Sequence, residues 1–158
     1  MKAFICTGYG PPEVLRLEDV DRPVAGDGDL LIKVHATTCH IGDTRVRGFD
    51  VPFWQRIPFR LFLGIRRPKR SVLGMELAGE VEETGKDVKR FKRGDEVFAT
   101  PGFDFGAHAQ YACVPENAKD VKKGLVTMKP ANMSFEEAAA GVTTGGLTAL
   151  EILKNAEI

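Results

Sequence analysis

The sequence has few cysteines, no long hydrophobic run and no recognisable export signal, and each of these shortages excludes a class of protein. The chain of 158 residues contains three cysteines without any Cys-x-x-Cys spacing, so it indicates neither a disulfide framework nor a zinc knuckle. No apolar stretch approaches the ~20 residues that a membrane-spanning helix needs. The apolar opening at residues 1–6 is too short for a secretory signal. We therefore expect a soluble protein in the reducing cytoplasm.

An excess of charge of either sign is also missing. Lys and Arg together number 22, as do Asp and Glu, so the formal net charge is +0. This balance predicts neither nucleic acid nor a membrane as a partner. One basic cluster stands out at residues 66–70, with Arg56 and Arg60 upstream. A solvated surface is one interpretation of the cluster, and contact with a cofactor phosphate is the other.

Short segments with strand-like alternation fill the first two thirds of the chain. Within residues 30–37, every second side chain is apolar and these share one face, which is typical of a half-buried strand. The predicted strands cover residues 2–7, 14–20, 30–37, 77–83, 96–100, 107–114 and 125–128. Many short strands separated by Gly- and Pro-containing turns predict a barrel or a sandwich.

Two regions depart from this pattern. Residues 53–65 are rich in aromatic and aliphatic side chains and predict a helical or irregular excursion. The segment 134–137 reads Ser-Phe-Glu-Glu, which fits a capping box at the start of a helix. We expect an interruption at Gly141 or at 145–146, followed by a second helix from about Leu147. The chain stops inside or just after that helix, which we interpret as a truncation.

Several motifs, taken in order, resemble a known family. They are Pro12–Leu15, Val34–Thr38, Asp43–Gly48, Leu73–Val81, Val88–Phe98, Gly106–Tyr111 and Gly146–Ala149. Their order and spacing are similar to the GroES-like N-terminal domain of the medium-chain dehydrogenase/reductase superfamily, in its zinc-independent quinone oxidoreductase-like branch. The resemblance implies a mainly β fold, a partly open GroES-like β-barrel with short helices. It also implies a catalytic domain at residues 1–130 and, at 131–158, a helical connector toward a missing Rossmann domain.

The resemblance allows the positions of the zinc ligands in related alcohol dehydrogenases to be compared with this sequence. Those enzymes carry a Cys three positions before the Asp that corresponds to Asp43, where this chain has His40 and Cys39 is one place early. Met75 stands where they carry a His, and a thioether is a poor substitute for imidazole on Zn²⁺. A third ligand, in many relatives a Cys near the segment aligned with 141–143, is missing as well. We therefore expect no metal.

Function follows from the resemblance as an expectation. Hydride transfer from NADPH or NADH to a small quinone or activated enone needs no zinc, because these acceptors delocalise the developing charge themselves. By resemblance, His40 and Asp43 are the catalytic candidates, and His40, Arg45 and Thr148 the cofactor-binding ones. The candidates for a substrate-facing apolar wall are Phe53, Trp54, Phe59 and Phe62, which could instead pack on a missing domain or a dimer partner.

Two alternatives stay open beside this expectation. One is a zinc-type alcohol dehydrogenase that works through His40, and the other is a GroES-like binding module without chemistry of its own. We expect the full-length enzyme to be a homodimer and the fragment alone to be inactive, since the Gly-rich phosphate-binding turn of a Rossmann domain is missing from this sequence.

Overall fold

The computed structural model of the chain describes residues 1–117, 121–141 and 144–156. The β-strands in these ranges are β1 Lys2–Cys6, β2 Leu15–Asp19, β3 Asp29–Thr37, β4 Leu77–Thr84, β5 Glu96–Thr100, β6 Tyr111–Pro115 and β7 Leu125–Met128. The α-helices are α1 Ile41–Gly48, α2 Arg56–Leu63, α3 Phe135–Gly141 and α4 Thr144–Asn155. Short 3₁₀ turns lie at Pro12–Val14, Phe53–Gln55, Gly102–Asp104 and Val121–Lys123.

Five strands form one antiparallel sheet in the order β6-β3-β4-β5-β7, and β1 pairs with β2 in a separate ribbon. Register shifts interrupt the β3–β4 ladder between Leu31 and Ile32 and again between Val34 and Ala36. Such bulges increase twist and bend a strand, so the sheet curls into a half-barrel. The predicted mainly β, partly open barrel is confirmed.

Alternating side chains from the curled sheet form the hydrophobic core. Ile32, Leu77, Val81, Val97 and Val114 are fully buried in one cluster. Because successive strand residues point to opposite faces, the period-two pattern in the sequence leads directly to this core.

The strand bounds agree with prediction except for β6. That strand begins at Tyr111, four residues later than the predicted start at 107. The intervening segment is held by the loop before β4, since the backbone N–H groups of Ala107 and His108 donate to the carbonyls of Gly74 and Leu73. Residues 107–110, which were predicted as strand, therefore belong to a loop that bonds to the loop before β4.

Three of the four helices described were predicted, although α4 starts earlier in the sequence than expected. α2 fills the predicted excursion, and α3 begins at the predicted capping box, with Ser134 and Glu137 exchanging bonds of 2.9 and 3.2 Å. α4 begins at Thr144, three residues before the expected start. α3 ends at Gly141, one of the two predicted positions of the break, whereas the other, 145–146, lies inside α4. The predicted truncation falls on 157–158, which, like 142–143, lie outside the described residues. α1 was not predicted.

α3 lies on the sheet, and α4 leaves it. Ala138 and Ala139 are buried against Ala78, and the Phe135 ring stacks on His35 at 4.5 Å between centroids. α4 exposes its leucines and Ile152. Among the described residues, none of the helices combines the length and the apolar character that crossing a bilayer requires.

Candidate active site

The first turn of α1 organises the candidate site. His40 is the N-cap residue, and its Nδ1 accepts the backbone N–H of Gly42 at 3.0 Å. In return the backbone N–H of His40 donates to Asp43 Oδ2 at 3.2 Å. This is a capping box built with histidine, a residue that is not among the preferred N-caps. The two sequence-predicted catalytic residues are therefore brought together.

Asp43 ties α1 to the loop before β4. Its side chain is 3% exposed, and Oδ1 accepts the backbone N–H of Gly74 at 2.9 Å. The Nε2 atom of His108 lies 3.8 Å from Oδ2. Burial raises the pKa of the Asp43 carboxyl, and the His108 ring and the two backbone donors oppose that rise. Each carboxylate oxygen thus has a neighbour within the protein, which is the pattern of a positioning residue.

His40 presents a hydrogen-bond donor to its surroundings. Because Nδ1 accepts a backbone N–H, the neutral ring carries its proton on Nε2. The side chain is half-buried, so the Nε2–H group can reach a molecule placed beside α1. This group can stabilise negative charge that develops on a carbonyl oxygen.

Glu76 supports the segment that leads into His40. It is buried, and its carboxylate accepts the hydroxyl of Thr38, while its carbonyl accepts the Thr37 hydroxyl at 2.7 Å. The carbonyl of Thr38 in turn lies 2.9 Å from His108 Nε2. These bonds join the end of β3 to the start of β4.

Met75 connects this turn to a cleft of about 770 Å³. Its Sδ lies 2.5 Å from the place where a Cβ on Gly42 would stand, so the thioether packs directly on the first turn of α1. The described side chains that line the cleft include Met75, Phe103, Leu147, Thr148, Leu150 and Ile152. Thr148, the predicted cofactor residue on α4, thus faces the same space as the methionine that replaces a zinc ligand.

The remaining predicted residues lie elsewhere. Arg45 lines a separate cavity of about 420 Å³ together with Phe59. Phe62 lines a third cavity, of about 260 Å³, and meets the edge of Phe103 at 6.1 Å. Phe53 and Trp54 are highly exposed. The structure therefore brings His40 and Asp43 together in the first turn of α1, on which Met75 packs, and places Thr148 on the cleft that Met75 lines. The other five candidates lie on neighbouring surfaces.

A metal centre does not assemble from the part of the chain that the structure describes. No group of three or more His, Cys, Asp or Glu side chains there is placed to hold an ion. Cys39 is exposed, whereas Glu76 is buried and bonds to Thr38. The absence of zinc from the protein stays a prediction.

Sequence reasoning missed His108 as a member of this site. It was assigned to a strand, and its contacts with Asp43 and Thr38 join positions 65 and 70 residues apart, which no local pattern reveals. The one available signal was Gly106, two residues before it, because a glycine next to a predicted strand marks a turn or a close backbone approach.

The sheet curls into a half-barrel, and a capped helix and an apolar cleft lie beside it. This arrangement is typical of the catalytic domains of dehydrogenases. The chain belongs to the family of alcohol dehydrogenase GroES-like domains, whose model matches residues 26–124. The resemblance drawn from the sequence motifs is thereby confirmed.

Two curated relatives and one solved structure illustrate which proteins the chain is similar to. The chain is 36% identical over 148 residues to the 2-methylene-furan-3-one reductase of Solanum lycopersicum, covering 89% of this chain and 34% of that protein. It is 31% identical over 147 residues to the chloroplastic NADPH-dependent alkenal/one oxidoreductase of Arabidopsis thaliana, covering 88% and 33%. The solved quinone oxidoreductase of Coxiella burnetii matches with a TM-score of 0.80 and 34% identity, covering 100% of this chain and 45% of that one. The chain thus spans about a third of the length of these curated relatives.

Proposed function

We propose that this chain is the N-terminal catalytic domain of an NAD(P)H-dependent oxidoreductase that reduces quinones or activated enones without zinc. The observation that carries the proposal is Met75, which lines the cleft and packs on α1 at the position of a zinc-ligating histidine. A thioether offers Zn²⁺ a weak ligand. The named quinone and enone reductases among the similar proteins support the same substrate class.

His40 and Asp43 have different roles in this proposal. The Nε2–H of His40 donates to the oxygen of the acceptor, where negative charge develops during reduction. Asp43 holds His40 in place through the capping box and holds α1 against Gly74. Asp43 is therefore a positioning residue, and His40 is the catalytic one.

The cleft suits the nicotinamide end of NADPH or NADH. A flat aromatic amide needs apolar walls with a few polar groups, and Met75, Phe103 and the α4 aliphatics supply the walls around the Thr148 hydroxyl. Bound NAD(P)H supplies the hydride. Arg45 would contact the cofactor further away, from the separate cavity that it lines with Phe59.

Three further features belong to the proposal. Residues 1–130 form the catalytic domain and 131–158 the connector to a dinucleotide-binding domain. The complete enzyme is a cytoplasmic homodimer. Its substrate is a small molecule, and nucleic acid is not a partner, in keeping with the balanced charge.

The test uses the complete enzyme that contains this chain. Steady-state assays with NADPH and NADH should show reduction of a quinone and an enone and little oxidation of simple alcohols. His40→Ser keeps a good helix cap but removes the ring N–H, so kcat should fall by about a hundredfold while stability is retained. His40→Ala should lose kcat and also about 1 kcal/mol of stability.

Three results would overturn the proposal. Alcohol oxidation together with stoichiometric zinc in elemental analysis would identify a zinc-type dehydrogenase. Ligand binding without turnover of any acceptor would identify a binding module. Unchanged kcat in His40→Ser would limit His40 to capping α1.

A further inference from the structure

α2 carries an apolar face that points away from the protein. Trp54, Ile57 and Leu61 recur at helical spacing and are 76%, 76% and 64% exposed. Phe53 before them and Ile65 after them are 85% and 69% exposed. A surface helix ordinarily turns such a face inward, so this arrangement is inverted.

Arg60 and Phe62, on the two flanks of this apolar face, hold α2 to the protein. Arg60 places its guanidinium over the rings of Tyr9 and Phe49, at 4.5 and 4.2 Å from their centroids. Phe62 meets Phe103 edge-on. These contacts fix the helix in an orientation that leaves its apolar face outside.

The segment that carries this apolar face is basic between Asp50 and Glu76. Residues 51–75 contain six Lys or Arg side chains and none of the 22 acidic residues. Arg60, Lys69 and Arg70 bond within the fold, to Ile65 O, Leu61 O and Asp104 respectively. Arg56, Arg66 and Arg67 are exposed at the two ends of the helix.

We propose that this surface docks on an anionic phospholipid bilayer. The α2 surface comprises Phe53, Trp54, Ile57, Leu61 and Ile65 with the flanking Arg56, Arg66 and Arg67. Apolar side chains of this kind enter the boundary between headgroups and acyl chains, and neighbouring arginines bind the headgroup phosphates. This proposal revises our expectation of no membrane partner. That expectation used the net charge of the whole chain, which is zero although residues 51–75 carry only positive charges.

Charge complementarity favours a lipid surface over a second copy of the chain. Two copies that met through their α2 surfaces would bring their exposed arginines together, and like charges placed face to face oppose association. An anionic bilayer neutralises the same arginines and accepts the apolar side chains.

The experiment uses the complete protein that contains this chain, for flotation, and the 158-residue chain, for fluorescence, because Trp54 is the single tryptophan of these residues. The chain is titrated with vesicles of phosphatidylcholine alone and of phosphatidylcholine mixed with phosphatidylglycerol. We expect a blue shift of Trp54 emission, quenching by brominated acyl chains and co-flotation with the anionic vesicles. Binding to the neutral vesicles should be much weaker, and salt should weaken the anionic binding.

Matched variants separate the two parts of the surface. Ile57→Glu should abolish flotation, whereas Val24→Glu, at a site that is 87% exposed on another face, should leave it unchanged. Arg66→Gln with Arg67→Gln should weaken binding by roughly thirtyfold, since each cation near an anionic surface contributes about 1 kcal/mol. Lys92→Gln is the control for charge, and all variants are checked for retained folding by circular dichroism.

Any of three results would overturn the proposal. The first is the absence of flotation and of a blue shift with anionic vesicles. The second is a blue shift that grows with protein concentration in the absence of lipid, together with dimers in sedimentation velocity that Ile57→Glu abolishes, which would assign the α2 surface to a second copy. The third is flotation of the 158-residue chain without flotation of the complete protein, which would assign the α2 surface to the missing domain.

Discussion

At the scale of single residues, Asp43 joins three parts of the chain. It accepts the N–H of His40 within its own helix turn and the N–H of Gly74 from the loop before β4, and it lies near His108. A buried carboxylate with these partners stabilises the fold as well as the site, because hydrogen bonds to charged groups contribute more than neutral ones.

Asp43→Asn should therefore lower the free energy of unfolding by about 2 kcal/mol. The amide can accept one of the two backbone N–H groups, but its NH₂ then faces the other donor. Urea denaturation measures the loss. Asp50→Asn, at an exposed position just after α1, should change the free energy by less than about 0.5 kcal/mol. Equal stability of the two variants would contradict the role assigned to Asp43.

Cys113 provides a pH-dependent prediction. Burial, with the charges of Asp29 and Glu83 nearby, raises the pKa of its thiol to about 11. Only the thiolate reacts, so near pH 8 Cys113 should be alkylated on the order of a hundredfold more slowly than a cysteine with the ordinary pKa of about 8.5. The rate should rise about tenfold per pH unit and level off near pH 11.

Peptide mass spectrometry after timed alkylation follows each cysteine separately. Cys39, which is exposed, serves as the fast-reacting reference in the same sample. A Cys113 rate that has already levelled off at about pH 9 would show that the thiol titrates in its usual range.

At the scale of secondary structure elements, the sequence predicts strands better than it predicts α1. The bounds of β5 and β7 agree with prediction because both strands alternate and are bounded by turn residues. α1 contains two glycines, and its N-cap residue is a histidine. Neither helix propensity nor a preferred N-cap residue therefore indicates a helix here. Its formation depends on Asp43 reaching Gly74, a contact across 31 residues that local pattern cannot contain.

The joint between α1 and β4 requires glycine at position 74. Gly74 has φ +104, and a Cβ there would lie 2.4 Å from the backbone nitrogen of His108. Gly74→Ala should therefore cost at least about 3 kcal/mol or prevent folding, because both the backbone angle and the close approach oppose a side chain.

Gly106→Ala is the matched control. Its φ is +106, but no described atom lies within 4 Å of the added Cβ. It should cost only about 1–2 kcal/mol, from backbone strain alone. Thermal or urea unfolding of both variants isolates the steric contribution, and equal losses would show that no close approach exists at Gly74.

At the scale of the whole molecule, α3 is packed as part of the sheet domain although it follows the predicted boundary at residue 130. Ala138 and Ala139 press on Ala78, and Phe135 stacks on His35. The capping box in the sequence predicted where α3 begins. The buried residues of α3 are alanines, and a run of alanines does not indicate which surface of the protein the helix packs on. The clustering of Met75 with Thr148 was equally inaccessible, since α4 and β4 are distant in sequence.

Ala138→Leu should destabilise the chain by about 1–3 kcal/mol, because the larger side chain overfills a tightly packed contact. Ala140→Leu, on the exposed side of the same helix, should be neutral within about 0.5 kcal/mol. Urea denaturation compares the two. Equal stability would mean that α3 does not rest on the sheet.

The place of β3 between β4 and β6 has a consequence for synthesis on the ribosome. β3 spans Asp29–Thr37, and its partners begin at Leu77 and Tyr111. The nascent strand therefore emerges long before either partner exists, and it retains one open edge until residue 115 has been translated. Open edges are templates for aggregation, and pairing over such separations is slow. We therefore expect a growing chain of this protein to aggregate more readily before residue 115 has been added than afterwards.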